Sequence, residues 1–211
     1  MRHGAVSYFP GGRPVPPDEV ELTAEGVQQA EAARDVLANV SLDRVIATGL
    51  RRTEQTARIV APGATVETWP ELREIRGAHL SSLPPDRLEE IFVRAFRGII
   101  PIEERFLGGE SVGEVFDRFL AALDRLVADP GWDTALVVAH GGVNRAILSW
   151  VLTGERLLIG HLEQAPCCIN VIDVGEDWVV RTAGVTPLDL AHETTRLTTM
   201  EQYWAEFRGR L

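Results

Sequence analysis

A run of apolar residues that ends in a histidine and two glycines places the strongest limit on the fold. The run covers residues 135–139, and it is followed by His140, Gly141, Gly142 and a helix-like apolar segment at 143–152. A buried strand that turns into a helix in this way is typical of an open α/β sheet, with the turn at the carboxyl edge of that sheet. Free backbone N–H groups at such a helix start bind anions. The pattern therefore predicts a phosphate-type site beside this histidine.

Strand-like and helix-like segments alternate along the rest of the chain. Strands are predicted at residues 43–48, 65–69, 134–139, 167–174 and 178–182, and helices at 24–37, 50–60, 84–96, 112–128, 143–152 and 200–207. This alternation predicts an α/β fold, with a mixed, mostly parallel sheet covered by helices on both faces. The length of 211 residues suits a single domain over 1–211. The stretch at about 72–110 interrupts the alternation, and we expect it to form a helical, lid-like insertion over the carboxyl edge.

Composition excludes several classes of function. The formal net charge is −10 and acidic residues are spread along the chain, whereas nucleic-acid binding needs a basic stripe. All 21 basic residues are arginine, so mechanisms that use a lysine have no residue to use. The adjacent Cys167 and Cys168 cannot form an ordinary structural disulfide with each other and suit a reducing compartment. With no signal peptide and no long apolar run, we expect a cytoplasmic protein. Its expected partner is a small molecule, not nucleic acid or a membrane, and a homodimer is left open.

A second histidine lies in the Arg2-His3-Gly4 triplet at the start of the chain. If His3 and His140 converge, a neutral His3 can attack phosphorus while a protonated His140 balances negative charge. Arginine forks suit phosphate oxygens, and phosphoryl transfer can proceed by positioning and charge stabilisation. Each residue also has an ordinary structural interpretation. A lone histidine that closes a strand is more often structural, Arg52 could be a solvated helix residue, and Glu74 could belong to a surface ion-pair cluster.

Four segments, in order, resemble the histidine phosphatase superfamily, which includes cofactor-dependent phosphoglycerate mutases and many small phosphatases. They are residues 2–4, 22–30, 50–57 and 139–142, and two further stretches at 71–74 and 109–111 are similar to the family. The resemblance implies a phosphoglycerate mutase-like fold and a metal-independent reaction through phosphohistidine, with no cofactor. By this resemblance His3 is phosphorylated, Glu74 is the proton donor, and the phosphate is bound by Arg2, Gly4, Arg52, His140 and Gly141.

Three functions remain open at this point. The first is hydrolysis of a small phosphomonoester, the second a phosphoglycerate-mutase-like phosphotransfer, and the third a catalytically silent phosphate-binding or scaffold protein. The insertion after Glu74 is shorter than in the mutases and favours the phosphatase, although four arginines could supply charge for a mutase: Arg76, Arg87, Arg94 and Arg97. Retention of the core residues argues against the silent protein. Because only Met1 precedes the triplet, where the family has a whole strand, we also expect an upstream segment to be missing.

Overall fold

The computed structural model describes residues 1–79, 82–189 and 197–209. Within these ranges the strands are β1 (Arg44–Ala47), β2 (Val66–Thr68), β3 (Ile99–Ile100), β4 (Ala135–Val138), β5 (Leu158–Ile159), β6 (Ile169–Val174) and β7 (Trp178–Val185). The α-helices are α1 (Ala24–Leu37), α2 (Arg51–Val60), α3 (Leu88–Val93), α4 (Val112–Ala128), α5 (Gly141–Thr153) and α6 (Thr199–Arg208). None of the helices in these ranges has the length and apolar character that crossing a bilayer requires.

Three parallel strands form the centre of the fold, in the order β2-β1-β4. The first three residues of the chain extend this arrangement beyond β4. Arg2 forms a parallel bridge with Ala139, and its N–H donates to the Cys168 carbonyl at 3.1 Å. The Cys167 N–H in turn donates to the His3 carbonyl at 3.1 Å. The triplet therefore lies between the end of β4 and the start of the antiparallel hairpin β6-β7.

Helices cover both faces of the parallel strands, as predicted. Because side chains alternate along a strand, Val45 and Ile46 of β1 point to opposite faces. Val45 packs into a buried cluster with α1 and α2, and Ile46 into a second cluster with α4 and α5. Phe116 and Val143, both fully buried, lie in the second cluster. The predicted fold class, an α/β protein with a mixed, mostly parallel sheet, is confirmed.

Two of the predicted helix starts rest on side-chain caps. Thr23 Oγ1 accepts the Gly26 N–H at 3.1 Å at the start of α1. Ser111 and Glu114 form a reciprocal capping box at the start of α4, in which each side chain accepts the other residue's N–H. These bonds satisfy N–H groups that have no acceptor within the helix, so they fix where each helix begins.

The predicted insertion contains less helix than the sequence suggested. Within the described part of residues 72–110, α3 is the only α-helix, and it ends at Val93. Phe96, predicted on the inner face of this helix, instead stacks on Phe106, with ring centroids 5.1 Å apart. The short strand β3 pairs antiparallel with β5, which ties the insertion to the segment after α5. Its action as a lid stays a prediction.

The two ends of the insertion are hydrogen bonded to each other. The Glu110 N–H donates to the Arg76 carbonyl at 2.7 Å, and the Arg76 N–H donates to Glu110 Oε2 at 3.1 Å. Glu110 is buried, so these bonds are shielded from water. The chain therefore enters and leaves the insertion at adjacent positions, which Arg76 and Glu110 join.

Candidate active site

The two histidines singled out by the sequence meet at the carboxyl edge of the sheet. His3 lies directly after the bridge to β4, and His140 follows the end of β4 and precedes α5. Their ring centroids are 5.2 Å apart, with the planes inclined by 65°. Both side chains are buried, at 2% and 0% exposure. Residues 137 positions apart therefore share one enclosed site.

The His3 ring is held in one tautomer by its own backbone neighbour. Its Nδ1 lies 2.7 Å from the Gly4 carbonyl oxygen, which can only accept, so Nδ1 carries the proton. Nε2 then keeps its lone pair, as a nucleophile requires. Gly4 stands where a side chain would not fit, since an added Cβ would lie 2.4 Å from the Gly26 carbonyl oxygen. The Gly4 N–H donates to Thr56 Oγ1 at 3.1 Å, so this glycine is fixed beside His3.

His140 contacts a threonine at the end of β1. Its Nε2 is 2.9 Å from Thr48 Oγ1, and Thr48 Oγ1 lies 3.1 Å from Thr53 Oγ1. Its Nδ1 is buried and has no hydrogen-bond partner within the described ranges. This contact between Thr48 and His140 was not predicted from the sequence.

The folded chain favours the neutral form of both imidazoles. Burial, followed by the positive charges of Arg2 and Arg52, lowers the pKa of His3 well below its usual value. Burial, followed by the charge of Arg52, lowers the pKa of His140 in the same way. This suits a nucleophilic His3. It differs from the expected protonated His140, because the sequence could not show that burial and the guanidinium groups of Arg52, Arg2 and Arg118 act on that ring. A dianionic ligand would favour the protonated form.

Two buried arginines stand beside the rings. Arg52 donates from Nη1 to the Pro17 carbonyl at 2.6 Å, and Arg2 donates to three oxygens, two of them on α6. In both residues the Nε atom is buried without a partner in the part of the chain that the structure describes. A Cβ added to Gly141 would lie 3.7 Å from Arg2 Nε, so this donor reaches the start of α5. There the N-terminus of α5 also favours an anion, and the Gly142 and Val143 N–H groups already bind the Glu74 carboxylate.

Glu74 lies at the N-terminus of α5. Its Oε1 accepts N–H bonds from Gly142 at 3.0 Å, from Val143 at 3.2 Å and from Ile75 at 3.0 Å. Oε2 accepts only a shared bond from Gly142 at 3.1 Å, so it is the oxygen with capacity for a proton. The surface ion-pair cluster considered from the sequence is not the arrangement observed, since the carboxylate contacts the helix start two residues after His140.

A guanidinium group holds the backbone on which Glu74 sits. Arg118 donates to both oxygens of the Glu110 carboxylate, at 2.8 and 3.0 Å. It also donates to the carbonyls of Glu71, Arg73 and Glu74, at 2.6, 2.7 and 3.3 Å. The segment that carries the candidate acid is thus fixed by a charge-assisted network rather than left as a free loop. No sequence pattern indicated this role of Arg118.

Comparison with known proteins agrees with this geometry. The sequence profile of the histidine phosphatase superfamily (branch 1) matches residues 1–186. The chain belongs to this superfamily. A relative in Yersinia pestis (strain Pestoides F), named probable phosphoglycerate mutase GpmB, is 30% identical over 196 residues, which cover 88% of this chain and 91% of the relative.

Solved structures show the same histidine phosphatase fold. The alpha-ribazole phosphatase from Shigella flexneri has a TM-score of 0.70 at 23% identity, covering 87% of this chain and 94% of that one. A mycobacterial glucosyl-3-phosphoglycerate phosphatase has a TM-score of 0.69 at 24% identity, covering 87% and 96%. At these identities the likeness shows the fold alone. Membership in the superfamily itself supports an enzymatic function for this chain.

Proposed function

We propose that this histidine phosphatase superfamily member hydrolyses a small phosphomonoester through a phosphohistidine intermediate on His3. The observation that carries the proposal is the His3 ring itself. Its Nδ1 donates to the Gly4 carbonyl, so the free lone pair is on Nε2. The centroid of the ring lies 5.2 Å from that of His140. Two buried guanidinium groups with unpartnered Nε atoms stand beside it. These are the groups that in-line phosphoryl transfer needs.

The proposed reaction has two displacements. In the first, His3 Nε2 attacks phosphorus while the bond from phosphorus to the leaving oxygen breaks, and Glu74 donates a proton to the departing alkoxide. In the second, Glu74 accepts a proton from the attacking water, and the bond from phosphorus to Nε2 breaks to release phosphate. Arg2 and Arg52 stabilise the charge on the phosphoryl oxygens in both steps.

The phosphotransferase alternative is favoured by one observation, the name of the Yersinia relative. A mutase would need basic groups that hold the rest of its substrate. Arg87 and Arg94 instead pair with Glu90, and Arg97 pairs with Glu201. All three line an outer cavity of about 360 Å³. The buried histidines and arginines of the site do not line this cavity. Hydrolysis therefore remains the better supported function.

The proposal is tested with the purified full chain and p-nitrophenyl phosphate. We expect release of phosphate that EDTA does not reduce, and an acid-labile phosphate on His3 in rapidly quenched samples. His3→Ala should abolish both, while the matched control His161→Ala, at an exposed histidine, should retain activity. Full activity of His3→Ala after removal of trace contaminants would refute the proposal.

A second assay separates hydrolysis from phosphotransfer. The enzyme is given 3-phosphoglycerate, and both free phosphate and 2-phosphoglycerate are measured. Hydrolysis predicts free phosphate without the isomer. Formation of the isomer faster than free phosphate would favour the mutase.

A further inference from the structure

Helix α6 lies outside the part of the chain that matches the superfamily, which ends at residue 186. Its aromatic side chains nevertheless pack against elements of the site. Tyr203 meets Tyr8 with ring centroids 5.1 Å apart, in the loop that follows the catalytic triplet. Trp204 meets Phe92 of α3 at 5.9 Å. The helix is therefore seated between this loop and the insertion.

Two hydroxyl groups of α6 bind the guanidinium of Arg2. Its Nη1 donates to Thr199 Oγ1 at 2.8 Å and to the Gln164 carbonyl at 2.5 Å, and its Nη2 donates to Tyr203 Oη at 3.0 Å. A guanidinium has five N–H donors, so these bonds use both on Nη1 and one on Nη2. The remaining donors lie on Nε and Nη2. These are adjacent nitrogens, suited to bind a phosphate through two parallel bonds.

Thr199 is itself held by an ion pair between the buried Arg145 and the exposed Glu163. Its hydroxyl donates to Glu163 Oε1 at 2.9 Å, and Glu163 Oε2 accepts from Arg145 Nη2 at 2.7 Å. A hydroxyl that donates to a carboxylate is a stronger acceptor for the next donor, so this contact strengthens its bond to Arg2. Arg145 is 3% exposed, which places the anchor of the network inside the domain.

We propose that Thr199 and Tyr203 are positioning residues that hold Arg2 with its free edge toward the phosphoryl group. The inference rests on the proposed function, since it assigns Arg2 to phosphate binding. Arg2 sits on an extended segment next to the nucleophile, and an arginine side chain without fixed contacts samples many rotamers. The two hydroxyls remove that freedom and commit the outer donors, so the inner donors remain for the ligand. This machinery comes from a helix that the family match does not include.

The test uses changes that keep the shape of each side chain. Tyr203→Phe and Thr199→Val each remove one acceptor of Arg2. Because a hydrogen bond to a charged group is involved, we expect each to lower kcat/KM for p-nitrophenyl phosphate about 10-fold. The inhibition constant of orthovanadate should rise by the same factor. Thr199→Ser restores the hydroxyl and should recover most of the loss, and Arg208→Gln, at the exposed end of the same helix, should have no effect.

A double-mutant cycle asks whether the hydroxyls act through Arg2. In an Arg2→Ala background, Tyr203→Phe should change kcat/KM and vanadate inhibition little, because the group that it positions is gone. The same loss in both backgrounds would overturn the inference. An increase in kcat/KM on Tyr203→Phe would also overturn it, since α6 would then be an inhibitory cover.

Failure of the proposed function can be told apart from failure of this inference. The affinity of the wild-type chain and of Tyr203→Phe for inorganic phosphate is measured by calorimetry, without any turnover. Weaker phosphate binding in the variant supports the positioning role even if wild-type hydrolysis is absent. Equal affinity in both proteins refutes the role even if hydrolysis depends on His3 as proposed.

Discussion

Acidification should destabilise this protein through its two active-site imidazoles. The folded chain lowers the pKa of both His3 and His140, whereas the unfolded rings titrate near a pH of about 6.5. Below that pH the unfolded state binds two more protons than the native state. The free energy of unfolding therefore falls as the pH falls, by about 1.4 kcal/mol per pH unit for each ring and about 2.8 kcal/mol per pH unit for both. The fall ends once the pH passes below the native pKa values.

Urea denaturation at intervals between about pH 7.5 and pH 5 measures this slope. Protonation of carboxyl groups with a lowered pKa also destabilises the folded protein, mainly at lower pH. These groups are Asp43, Glu67, Glu71, Glu114 and Glu201. Histidine variants are therefore needed to isolate the contribution of the two rings. His3→Asn and His140→Asn each remove one titrating ring, and each should reduce the slope by about 1.4 kcal/mol per pH unit. Slopes equal to the wild type in both variants would show that the rings are charged in the folded protein.

Two further predictions concern the nucleophile's support and the acid. Gly4→Ala should lower kcat/KM by about 100-fold or more, because the new Cβ would lie 2.4 Å from the Gly26 carbonyl oxygen and displace His3. Gly175→Ala is the matched control, since its Cβ would have its nearest neighbour at 4.0 Å. Steady-state kinetics of both variants measure the effect. Glu74→Gln should slow hydrolysis of an alkyl phosphate about 100-fold and that of p-nitrophenyl phosphate much less, since a good leaving group needs little protonation. Equal losses on the two substrates would assign the proton donor to another residue.

The parts of this fold that sequence reasoning predicted correctly depend on local chemistry. The caps at Thr23 and Ser111 form within four residues, so the start of each helix could be read directly. The parallel core strands were recognised from short apolar runs between helices. The pairing of β3 with β5 was missed, because strands of two residues show no periodicity.

The site shows the same division. The meeting of His3 and His140 was predicted, since both residues belong to motifs of one family and parallel strands bring their carboxyl ends together. The contacts of Arg2 with α6 were not predicted, because they join residues about 200 positions apart through two ordinary-looking side chains, Thr199 and Tyr203. The lowered pKa of His140 was also missed, because it depends on burial and on charges from other segments.

The closed base of the insertion separates its exposed part from the residues that hold Glu74. Its two ends are joined through Arg76 and Glu110, and Arg118 fastens the adjoining backbone of Glu74 from outside the segment. Exposed positions between these ends can therefore change while the carboxylate keeps its place at the start of α5, whereas Phe96 and Ile100 pack into the core and the β3-β5 pair holds the segment to the domain. Evolution, or a designer grafting a loop from another member of the superfamily, could redirect substrate choice without rebuilding the chemistry beneath it.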